Sequence, residues 1–413
     1  MFLLQENGGQ ERIEMFSESK VTHMSKRFMF EKPMGMRDTL PEHYEKKKTV
    51  VEGMCSTMQS WGYRMIGTPT VEYSDTIGRV SAIEEQQLFT LMDRDGHSLV
   101  LRPDMTSPIA RVASSKLAKE RLPLRLAYEE NVFRAQQREG GRPAEFTQVG
   151  VELIGDKTFA ADAEIIAIAD EALRAVGLRS FKFLLGHIGF VKAFFRANLD
   201  TAEQVDALLR ALYEKNLVGY GEAVESFQLQ GAKEERLRQF LHLRGGEDLF
   251  QRAESLIQTE EERNALGDVH TMFAHLKDYQ VEATVKLDLT LVSHMTYYTG
   301  LLFEVYAGDV GAPIGNGGRY NQLVRQFGTQ HAATGFAIRV DHLLEALPAP
   351  NPLSTPYGVL FDDESRTEAV EQAKKIRSTN QRVILQHVAG VEELTAFFGA
   401  CARVIDMRKG GNE

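Results

Sequence analysis

The spacing of apolar residues predicts several helices along the chain. Residues 42–61 have a helical pattern that ends at Gly62, and residues 161–177 have one that closes with Gly177, a residue type typical of helix C-termini. The apolar face of the second helix consists of Ile165, Ile168, Ala172 and Val176. A longer stretch, 194–278, is nearly all helical in pattern and rich in Glu, Leu, Arg and Gln, which predicts an inserted helical module.

Alternating apolar positions predict strands between these helices. Residues 88–104 contain two apolar runs joined by Asp-Arg-Asp-Gly, which indicates a β-hairpin, and a helix is predicted over 106–119. Residues 125–155 predict a strand, a long polar loop and a second strand. Strand patterns return at 281–307, so the chain contains both strands and helices.

Turn-forming residues and shifts in composition predict the domain boundaries. The first 27 residues show no strong pattern and are expected to form a loose tail. A core is expected over 28–348, and the linker PAPNPLSTP follows it. Residues 353–413 then alternate strand, helix, strand, helix and strand, which predicts a small α/β unit.

Composition excludes several classes of protein. The 413 residues are 43% hydrophobic and 26% charged, as in globular proteins, and the net charge of −10 provides no basic footprint for nucleic acid. Two cysteines, Cys55 and Cys401, form neither a disulfide framework nor a metal motif, so a cytoplasmic location is expected. No apolar run approaches the ~20 residues of a membrane span, and the N-terminus lacks a signal-peptide pattern.

Polar residues on otherwise apolar strands indicate a ligand pocket. Gln148 and Glu152 are four residues apart on a predicted strand and therefore share a face, where burial costs free energy unless the side chains are hydrogen-bonded. Tyr297 and Tyr298 follow another strand pattern. Tyrosines often line small-ligand sites because each ring supplies apolar area and one hydroxyl.

Asp104 and Thr106 come just after the predicted hairpin and admit two interpretations. A carboxylate there can hold an ammonium group, whereas Asp and Thr also suit the start of a helix. Together with the preceding four residues they supply acceptors, donors and two rings, a combination that suits a small zwitterion with a polar aromatic side chain. The candidate pocket therefore comprises Asp104, Thr106, Gln148, Glu152, Tyr297 and Tyr298.

Signatures of phosphate and metal binding are weak. Arg134, Arg138 and Arg142 lie in a polar hairpin loop that can hold phosphate, but composition alone favours a solvated loop. The glycine-rich DVGAPIGNGGRY lacks the Gly-Lys-Ser/Thr of a Walker motif. His270 and His275 are five residues apart on a helical stretch and do not share a face, so no metal site is predicted.

Several ordered motifs resemble the catalytic core of histidyl-tRNA synthetase, a class II aminoacyl-tRNA synthetase, from about Lys32 to Leu347. The likeness is carried by MGMRDTLP, LRPDMTSPIAR, NVFRAQQREGGRPAEFTQVGVELIG, GGRYNQL and GFAIRVDHLL. The resemblance implies an α+β fold with an antiparallel sheet flanked by helices, a helical insertion and a small C-terminal α/β unit. It also implies a histidine site formed by Asp104, Thr106, Arg134, Gln148, Glu152, Tyr297 and Tyr298, with Arg134 as the first arginine of motif 2.

The catalytic cations of that family are absent from their expected positions. Ser293 stands where synthetases have an arginine before the tyrosine pair, and Ala144 stands where motif 2 has its second arginine. Motif 3 ends in Asp341 and His342 instead of an acidic residue and an arginine, and Arg339 replaces a glycine and is expected to crowd the adenine site. Because amino-acid activation depends on cations around the phosphates of ATP, useful aminoacylation is not expected.

A retained histidine site beside a lost ATP site resembles one family, the regulatory subunits of ATP phosphoribosyltransferase. That resemblance implies a non-catalytic subunit without a cofactor, with L-histidine as effector. It also implies a dimer through the core and a complex with the short-form catalytic subunit, which performs the first step of histidine biosynthesis. A divergent histidyl-tRNA synthetase is the alternative, and a synthetase-like enzyme that adenylates another acceptor is the third possibility.

The C-terminal segment favours the regulatory family. Only 61 residues follow Pro352, and they contain eight Lys and Arg against nine Asp and Glu. A synthetase of this family is expected to end in an anticodon-binding domain of roughly a hundred residues. A short, nearly neutral unit is poorly suited to the phosphates of tRNA, so no tRNA partner is expected.

Overall fold

The computed structural model describes residues 30–135, 143–293, 295, 297–348 and 355–409. The predicted tail and two of the three loop arginines, Arg138 and Arg142, lie outside these residues. The chain forms two compact units that divide after Leu347. None of the helices in the described ranges is long and apolar enough to cross a bilayer.

The first unit begins with a helix, a small sheet and the first long hairpin. The elements from the first helix to β7 are α1 Pro41–Ser60, β1 Arg64–Met65, β2 Val71–Tyr73, β3 Thr90–Met92, β4 Ser98–Leu101, α2 Thr106–Ala113, β5 Leu124–Phe133, β6 Glu145–Ile154, α3 Phe159–Ala175 and β7 Phe181–His187. The helical module follows with α4 Ile188–Asn198, α5 Ala202–Tyr213, α6 Leu217–Ser226, α7 Lys233–Phe240, β8 Arg244–Gly245, α8 Leu249–Glu254 and α9 Glu260–Asp278. The unit ends with β9 Val285–Asp288, β10 Leu301–Ala307, β11 Gly315–Arg319, α10 Asn321–Gln326, β12 Ala333–Arg339 and α11 Val340–Ala346.

A nine-stranded sheet is the centre of the first unit, with the order β1-β5-β6-β12-β11-β10-β7-β9-β8. The six strands from β5 to β7 in this order pair antiparallel, as predicted. Near the edges, β1 pairs parallel with β5 and β9 pairs parallel with β7, so the sheet as a whole is mixed. The α+β fold with helices against a large sheet is confirmed, and the strands that carry the candidate pocket belong to its antiparallel part.

Local sequence signals explain most element boundaries. α3 ends near Gly177, whose φ of +93° favours glycine, and α9 begins with a capping box formed by Thr259 and Glu262. The helix predicted over 106–119 is too long, because α2 ends at Ala113. The hydroxyl of Ser115 donates to the Arg111 carbonyl at 2.6 Å, and such local bonds compete with those that continue a helix.

Helices fill most of 194–278, the stretch predicted as a helical module, although the first of them, α4, already begins at Ile188, and they enclose an aromatic core. The rings of Phe194 and Phe240 lie 4.8 Å apart between centroids, and the Phe195 and Phe240 rings lie 5.2 Å apart. These three side chains are fully buried, so the module packs around its own apolar interior as well as against the sheet.

A second, three-stranded sheet has the order β2-β4-β3 and contains the predicted hairpin β3–β4. Residues opposite each other in an antiparallel pair share a face, so the register places Tyr73, Leu99 and Leu91 on one side and Val71 beside them. Val71, Tyr73 and Leu91 are 40%, 54% and 45% exposed. One face of this sheet is therefore apolar and uncovered within the described chain.

The C-terminal unit is the predicted strand–helix alternation. It consists of β13 Tyr357–Phe361, α12 Arg366–Arg377, β14 Val383–His387, α13 Leu394–Gly399 and β15 Arg403–Asp406. The strands pair parallel in the order β14-β13-β15. Ala369 and Ala373 of α12 are buried against this sheet with Val359.

Candidate functional site

The alternation of side chains along β6 aims two polar residues at one face of the sheet. Gln148 and Glu152 are 6% and 1% exposed. The neighbouring strand β12 pairs antiparallel with β6, which places Arg339 opposite Gln148 and Gly335 opposite Glu152. The sheet register, rather than sequence proximity, therefore decides what surrounds these two polar groups.

All seven residues predicted from the sequence line a single pocket on this face of the sheet: Asp104, Thr106, Arg134, Gln148, Glu152, Tyr297 and Tyr298. Six further residues complete its wall: Met295, Asn316, Tyr320, Gly335, Phe336 and Ala337. The pocket collects residues from just before and at the start of α2, from the position after β5, from β6, from β11 and the position after it, from β12, and from the loop before β10.

Glu152 is the most buried carboxylate of the pocket. It accepts a hydrogen bond from the Tyr320 hydroxyl at 2.5 Å and another from the Thr106 side chain. The pKa of Glu152 is raised to about 8, mainly because desolvation outweighs these two hydrogen bonds and to a smaller extent because of the charge of the nearby Asp104. A ligand that donates to this carboxylate therefore meets a group that is poised to change protonation near neutral pH.

Gly335 provides the space that Glu152 occupies. A Cβ atom at position 335 would lie 2.0 Å from the Glu152 Oε2 atom and 2.4 Å from the Val151 carbonyl oxygen. Both distances are far inside van der Waals contact, so no larger residue fits without moving the carboxylate. The glycine opposite Glu152 is therefore part of the pocket.

Gln148 has an unsatisfied acceptor. Its Oε1 atom is buried and has no hydrogen-bond partner within the described ranges. An orphaned buried acceptor costs about 1–3 kcal/mol. A bound molecule that donates a hydrogen bond to this atom would remove that cost.

Asp104 supports both interpretations offered by the sequence. Its two carboxylate oxygens accept from the Ser107 backbone N–H at 2.8 Å and from the Ser107 hydroxyl at 3.2 Å, which is the behaviour of a residue at a helix start. The same side chain lines the pocket and is 2% exposed. Burial raises its pKa, although the Ser107 N–H and the charge of Arg134 oppose this shift.

Three tyrosines form the aromatic wall. The Tyr297 ring lies 5.2 Å from that of Tyr298 and 6.1 Å from that of Tyr320, both at steep angles. The amide of Asn316 donates to the Tyr298 hydroxyl at 3.1 Å. Burial raises the pKa of Tyr297 well above its usual range, so its hydroxyl remains a neutral donor and acceptor.

Sequence reasoning missed Asn316, Tyr320 and Gly335. Tyr320 stands in GGRY and Gly335 opens GFAIR, two motifs that carry the family resemblance, so a signal was present for both. Asn316 lies in a glycine-rich run, and only the pairing of β11 with β12 shows that it reaches the pocket, opposite Ala337.

Arg134 supplies a cation at the edge of the pocket. Its Nε atom donates to the Pro103 carbonyl at 2.9 Å, and its guanidinium lies 5.5 Å from the centroid of the Phe146 ring. Burial lowers its pKa, and the charge of Asp104 partly offsets the shift.

A second guanidinium, that of Arg339, contacts the same Phe146 ring. Its guanidinium carbon lies 4.0 Å from the centroid of the Phe146 ring, a cation–π distance, and its Nη2 atom pairs with Asp341 at 3.2 Å. The guanidinium therefore covers one face of the Phe146 ring, and the crowding of an adenine site by Arg339 stays a prediction.

The other substituted positions have local structural partners. The Ser293 hydroxyl accepts from the Met295 backbone N–H at 3.1 Å, and His342 Nδ1 lies 2.9 Å from the Pro313 carbonyl oxygen. Ala144 is 1% exposed, and its N–H donates to the Gly35 carbonyl at 2.8 Å. None of these three side chains presents a cation to the pocket.

One carboxylate–histidine group in the described part of the chain has spacing suited to a cation, and it lies outside the pocket. Asp93, Asp95 and His97 surround the β3–β4 turn, and Asp93 already accepts from the backbone N–H groups of the other two at 2.9 and 2.8 Å. The group therefore acts as an ordinary polar turn.

Comparisons with known proteins point to one family. The family profile described as Histidyl-tRNA synthetase matches residues 35–343, and the profile described as Histidyl-tRNA synthetase HisZ, C-terminal domain, matches residues 358–408. An ATP phosphoribosyltransferase regulatory subunit of Geobacillus sp. (strain WCH70) is 53% identical over 372 residues, covering 90% of this chain and 95% of that protein. The regulatory subunit of Bacillus subtilis (strain 168) is 50% identical over 385 residues, covering 92% of this chain and 98% of that protein.

A solved structure shows the same fold over nearly the whole chain. The crystal structure of an ATP phosphoribosyltransferase regulatory subunit/histidyl-tRNA synthetase from Bacillus halodurans has a TM-score of 0.88 and 48% identity, and the match covers 92% of this chain and 99% of that chain. The resemblance identified from the sequence motifs is thereby confirmed. The chain belongs to the histidyl-tRNA synthetase family and, within it, to the ATP phosphoribosyltransferase regulatory subunits.

Proposed function

We propose that this regulatory subunit is non-catalytic, binds L-histidine in the pocket beside β6, and thereby controls a short-form ATP phosphoribosyltransferase catalytic subunit in the cytoplasm. One observation carries the proposal. The pocket keeps every polar group expected for histidine, while Arg339 covers the Phe146 ring at the adjoining edge. In this proposal the core, 28–348, holds the ligand, and 353–413 is a small α/β domain.

The chemistry of the pocket suits histidine as a zwitterion with a polar ring. Glu152, at the most buried point, can accept from an imidazole N–H, and the tyrosine rings can flank the imidazole plane. The orphaned Gln148 acceptor requires a donor, and the ligand's ammonium group is one. Burial makes each of these bonds more valuable than its counterpart in water.

The same geometry argues against amino-acid activation. In-line attack on ATP develops charge on phosphate oxygens, and positioned cations supply most of the stabilisation. Ser293, Ala144 and His342 hold three of the positions expected to carry arginines, and all three make local contacts instead. A single transition-state arginine can be worth ~10³–10⁵ in rate, so these losses together would remove useful activity.

Charge also argues against tRNA as a partner. The helical module, 194–278, contains ten Lys and Arg against sixteen Asp and Glu, and the C-terminal unit is nearly neutral. Affinity for nucleic acid depends chiefly on neutralising phosphates. Neither part offers the required excess of positive charge.

Control of a partner requires two states with different affinities for histidine. A ligand shifts an equilibrium only by that difference, and by linkage the catalytic subunit must then alter histidine affinity by the same factor. Self-association through the core is part of the proposal. The apolar face of the small sheet around Val71, Tyr73 and Leu91 is a surface that a second copy of the chain can cover.

Two assays on one preparation test the proposal. Calorimetric titration should show L-histidine binding to the chain, alone or with the catalytic subunit, and ATP–pyrophosphate exchange with histidine should be absent. Histidine-dependent exchange at synthetase-like rates together with tRNA binding would identify a divergent histidyl-tRNA synthetase instead. Exchange without tRNA binding would indicate another acceptor for the adenylate.

Copurification tests the partner. The chain should retain the short-form phosphoribosyltransferase on an affinity column, and histidine should change the activity of the resulting complex. A catalytic subunit that neither copurifies nor responds in activity to this chain would contradict the regulatory role.

A further inference from the structure

The connection between α5 and α6 of the helical module reaches back to the central sheet. This elbow, residues 213–217, contacts strand β10 through Lys215, whose ammonium group donates to the Tyr306 hydroxyl at 2.7 Å. The Tyr306 hydroxyl donates to Glu304 at 2.6 Å, and the ammonium group lies 3.9 Å from the same carboxylate. Lys215, Tyr306 and Glu304 thus form a chain of polar contacts between the module and the sheet, which we call the latch.

The backbone of Lys215 is strained. Its φ of +56° follows the last turn of α5 and lies in the left-handed region, where helices commonly end on glycine or asparagine. The side chain of this strained residue is the one that reaches the sheet. Burial raises the pKa of Tyr306 and the bond to Glu304 raises it further, so the hydroxyl keeps the proton that it donates. The latch is therefore intact at neutral pH.

The latch lies beside the aromatic wall of the ligand pocket. Glu304 is opposite Asn316 in the antiparallel register, so both side chains belong to the face of the sheet that carries the pocket. Asn316 lines the pocket and donates to the Tyr298 hydroxyl. Burial raises the pKa of Tyr298, and the charge of Glu304 adds to this shift. The latch and the pocket wall are therefore on neighbouring strands and within electrostatic reach of each other.

The start of the elbow lies near the opposite side of the pocket. Burial lowers the pKa of Arg134, which lines the pocket, and Tyr213 at the end of α5 is one of the groups that offset this shift. Tyr213 is therefore close to Arg134. The elbow thus extends from the neighbourhood of Arg134 to strand β10, across the side of the pocket that faces the module.

A cleft of about 190 Å³ separates the elbow from the sheet. Packed protein interiors contain few voids larger than a water molecule, so the latch bridges a gap that side-chain packing does not fill. The apolar walls of the cleft come from the module, from β7 and from the segment that leads to the tyrosine pair: Leu212, Leu217, Leu184, Leu291 and Val292. A movement of the elbow would therefore be felt by the segment that carries the tyrosines.

We propose that the α5–α6 elbow is a movable cover of the histidine pocket and that the latch holds this cover closed. Histidine then enters and leaves while the latch is broken. The three latch residues, all in the described part of the chain, are not among those that line the pocket. The latch therefore changes association and dissociation rates by the same factor and leaves the dissociation constant nearly unchanged. This inference rests on the proposed histidine site and adds the element that controls access to it.

Binding kinetics test the proposal. Stopped-flow or NMR exchange measurements on the full chain give both rate constants for L-histidine. In Lys215→Met and in Tyr306→Phe both rates should rise about 3- to 10-fold, the effect expected for one charged hydrogen bond at a partly exposed site. Lys215→Arg should retain much of the wild-type behaviour, because a guanidinium can also donate to Tyr306. Lys277→Met is the matched control, since Lys277 pairs with Glu247 at 2.7 Å elsewhere in the module, and its rates should equal those of the wild type.

Amide hydrogen exchange measures the cover itself. Residues 213–217 should exchange faster in Lys215→Met and Tyr306→Phe than in the wild type, and at the wild-type rate in Lys277→Met. Circular dichroism verifies folding, and the two latch variants change different elements, so either one can carry the test.

Each outcome separates this inference from the proposed function. If histidine binds with the same rates in the wild type and in both latch variants, the cover is refuted and the histidine site stands. A large loss of affinity at an unchanged association rate in Lys215→Met would mean that Lys215 contacts the ligand, which also overturns the cover. If the wild-type chain binds no histidine, the proposed function fails and the cover fails with it.

Discussion

The charge of Glu152 at the base of the pocket is the most sensitive point of the histidine site. The Glu152→Gln substitution keeps the shape of the side chain and one acceptor oxygen for Tyr320, but it removes the ionised acceptor for the ligand's imidazole. We expect weaker histidine binding in this variant, and weaker binding still in Glu152→Ala, which also leaves the Tyr320 hydroxyl without its partner.

The size of the effect follows from the bond and from the pKa. A hydrogen bond to a charged group contributes about 1.5–3 kcal/mol, which corresponds to a loss of roughly 10- to 100-fold in affinity. The pKa of Glu152 is raised to about 8 in the ligand-free pocket, so ionising it at pH 7 costs about 1.4 kcal/mol. The loss should therefore be largest near pH 8.5 and up to about tenfold smaller at pH 7.

Isothermal titration calorimetry at both pH values provides the assay. Glu164→Gln is the matched control, because Glu164 also accepts from a tyrosine hydroxyl, that of Tyr63 at 2.9 Å, but lies outside the pocket. Wild-type histidine affinity in the Glu152→Gln variant at pH 8.5 would refute the assignment of this carboxylate to the ligand.

Three further predictions follow from the geometry. Gly335→Ala should lower the free energy of unfolding by about 1–3 kcal/mol and abolish histidine binding, because the new Cβ would lie 2.0 Å from the Glu152 Oε2 atom. Thermal unfolding measures the first effect and calorimetry the second, and wild-type behaviour in both assays would contradict this prediction. Because Glu152 holds its proton in the folded, ligand-free chain up to a pH of about 8, the free energy of unfolding of the wild type should fall as the pH rises from the ordinary pKa of a glutamate to about 8. The Glu152→Gln variant lacks this titration, so denaturant titrations should show it gaining stability relative to wild type over the same pH range. A stability difference that stays constant with pH would argue against the raised pKa. Leu91→Lys on the apolar sheet face should shift the chain toward the monomer in sedimentation equilibrium, and an unchanged dimer would exclude this face from self-association.

Much of the pocket was predictable from short-range patterns. The period of two along a strand placed Gln148 and Glu152 on one face, and the tyrosine pair was recognisable as ligand-binding chemistry. The alternation of strands and helices in the C-terminal unit was equally local. These features depend on residues close together in the chain, where periodicity is informative.

The remaining features depend on the pairing of distant strands. Gly335 belongs to the pocket because β12 pairs with β6, and the sequence does not specify that register. The parallel pairs of β1 with β5 and of β7 with β9 have the same origin. Arg339 was identified from the family resemblance as a bulky substitution, but its contact with Phe146 and its unsatisfied Nε atom opposite Gln148 emerge only from the packed structure.

Asp104 shows why the chemistry of single residues stays ambiguous in a sequence. The helix-start interpretation and the ligand interpretation were offered as alternatives, yet Asp104 bonds to Ser107 and also lines the pocket. A carboxylate has several acceptor sites, so one side chain can fix the start of a helix and face a ligand at the same time.

Titration of L-histidine into the chain, alone and with the catalytic subunit, tests the central claim most directly. The account predicts saturable binding at one site per chain that is strongly weakened by Glu152→Gln and unaffected by Glu164→Gln. Absence of histidine binding under both conditions would contradict it.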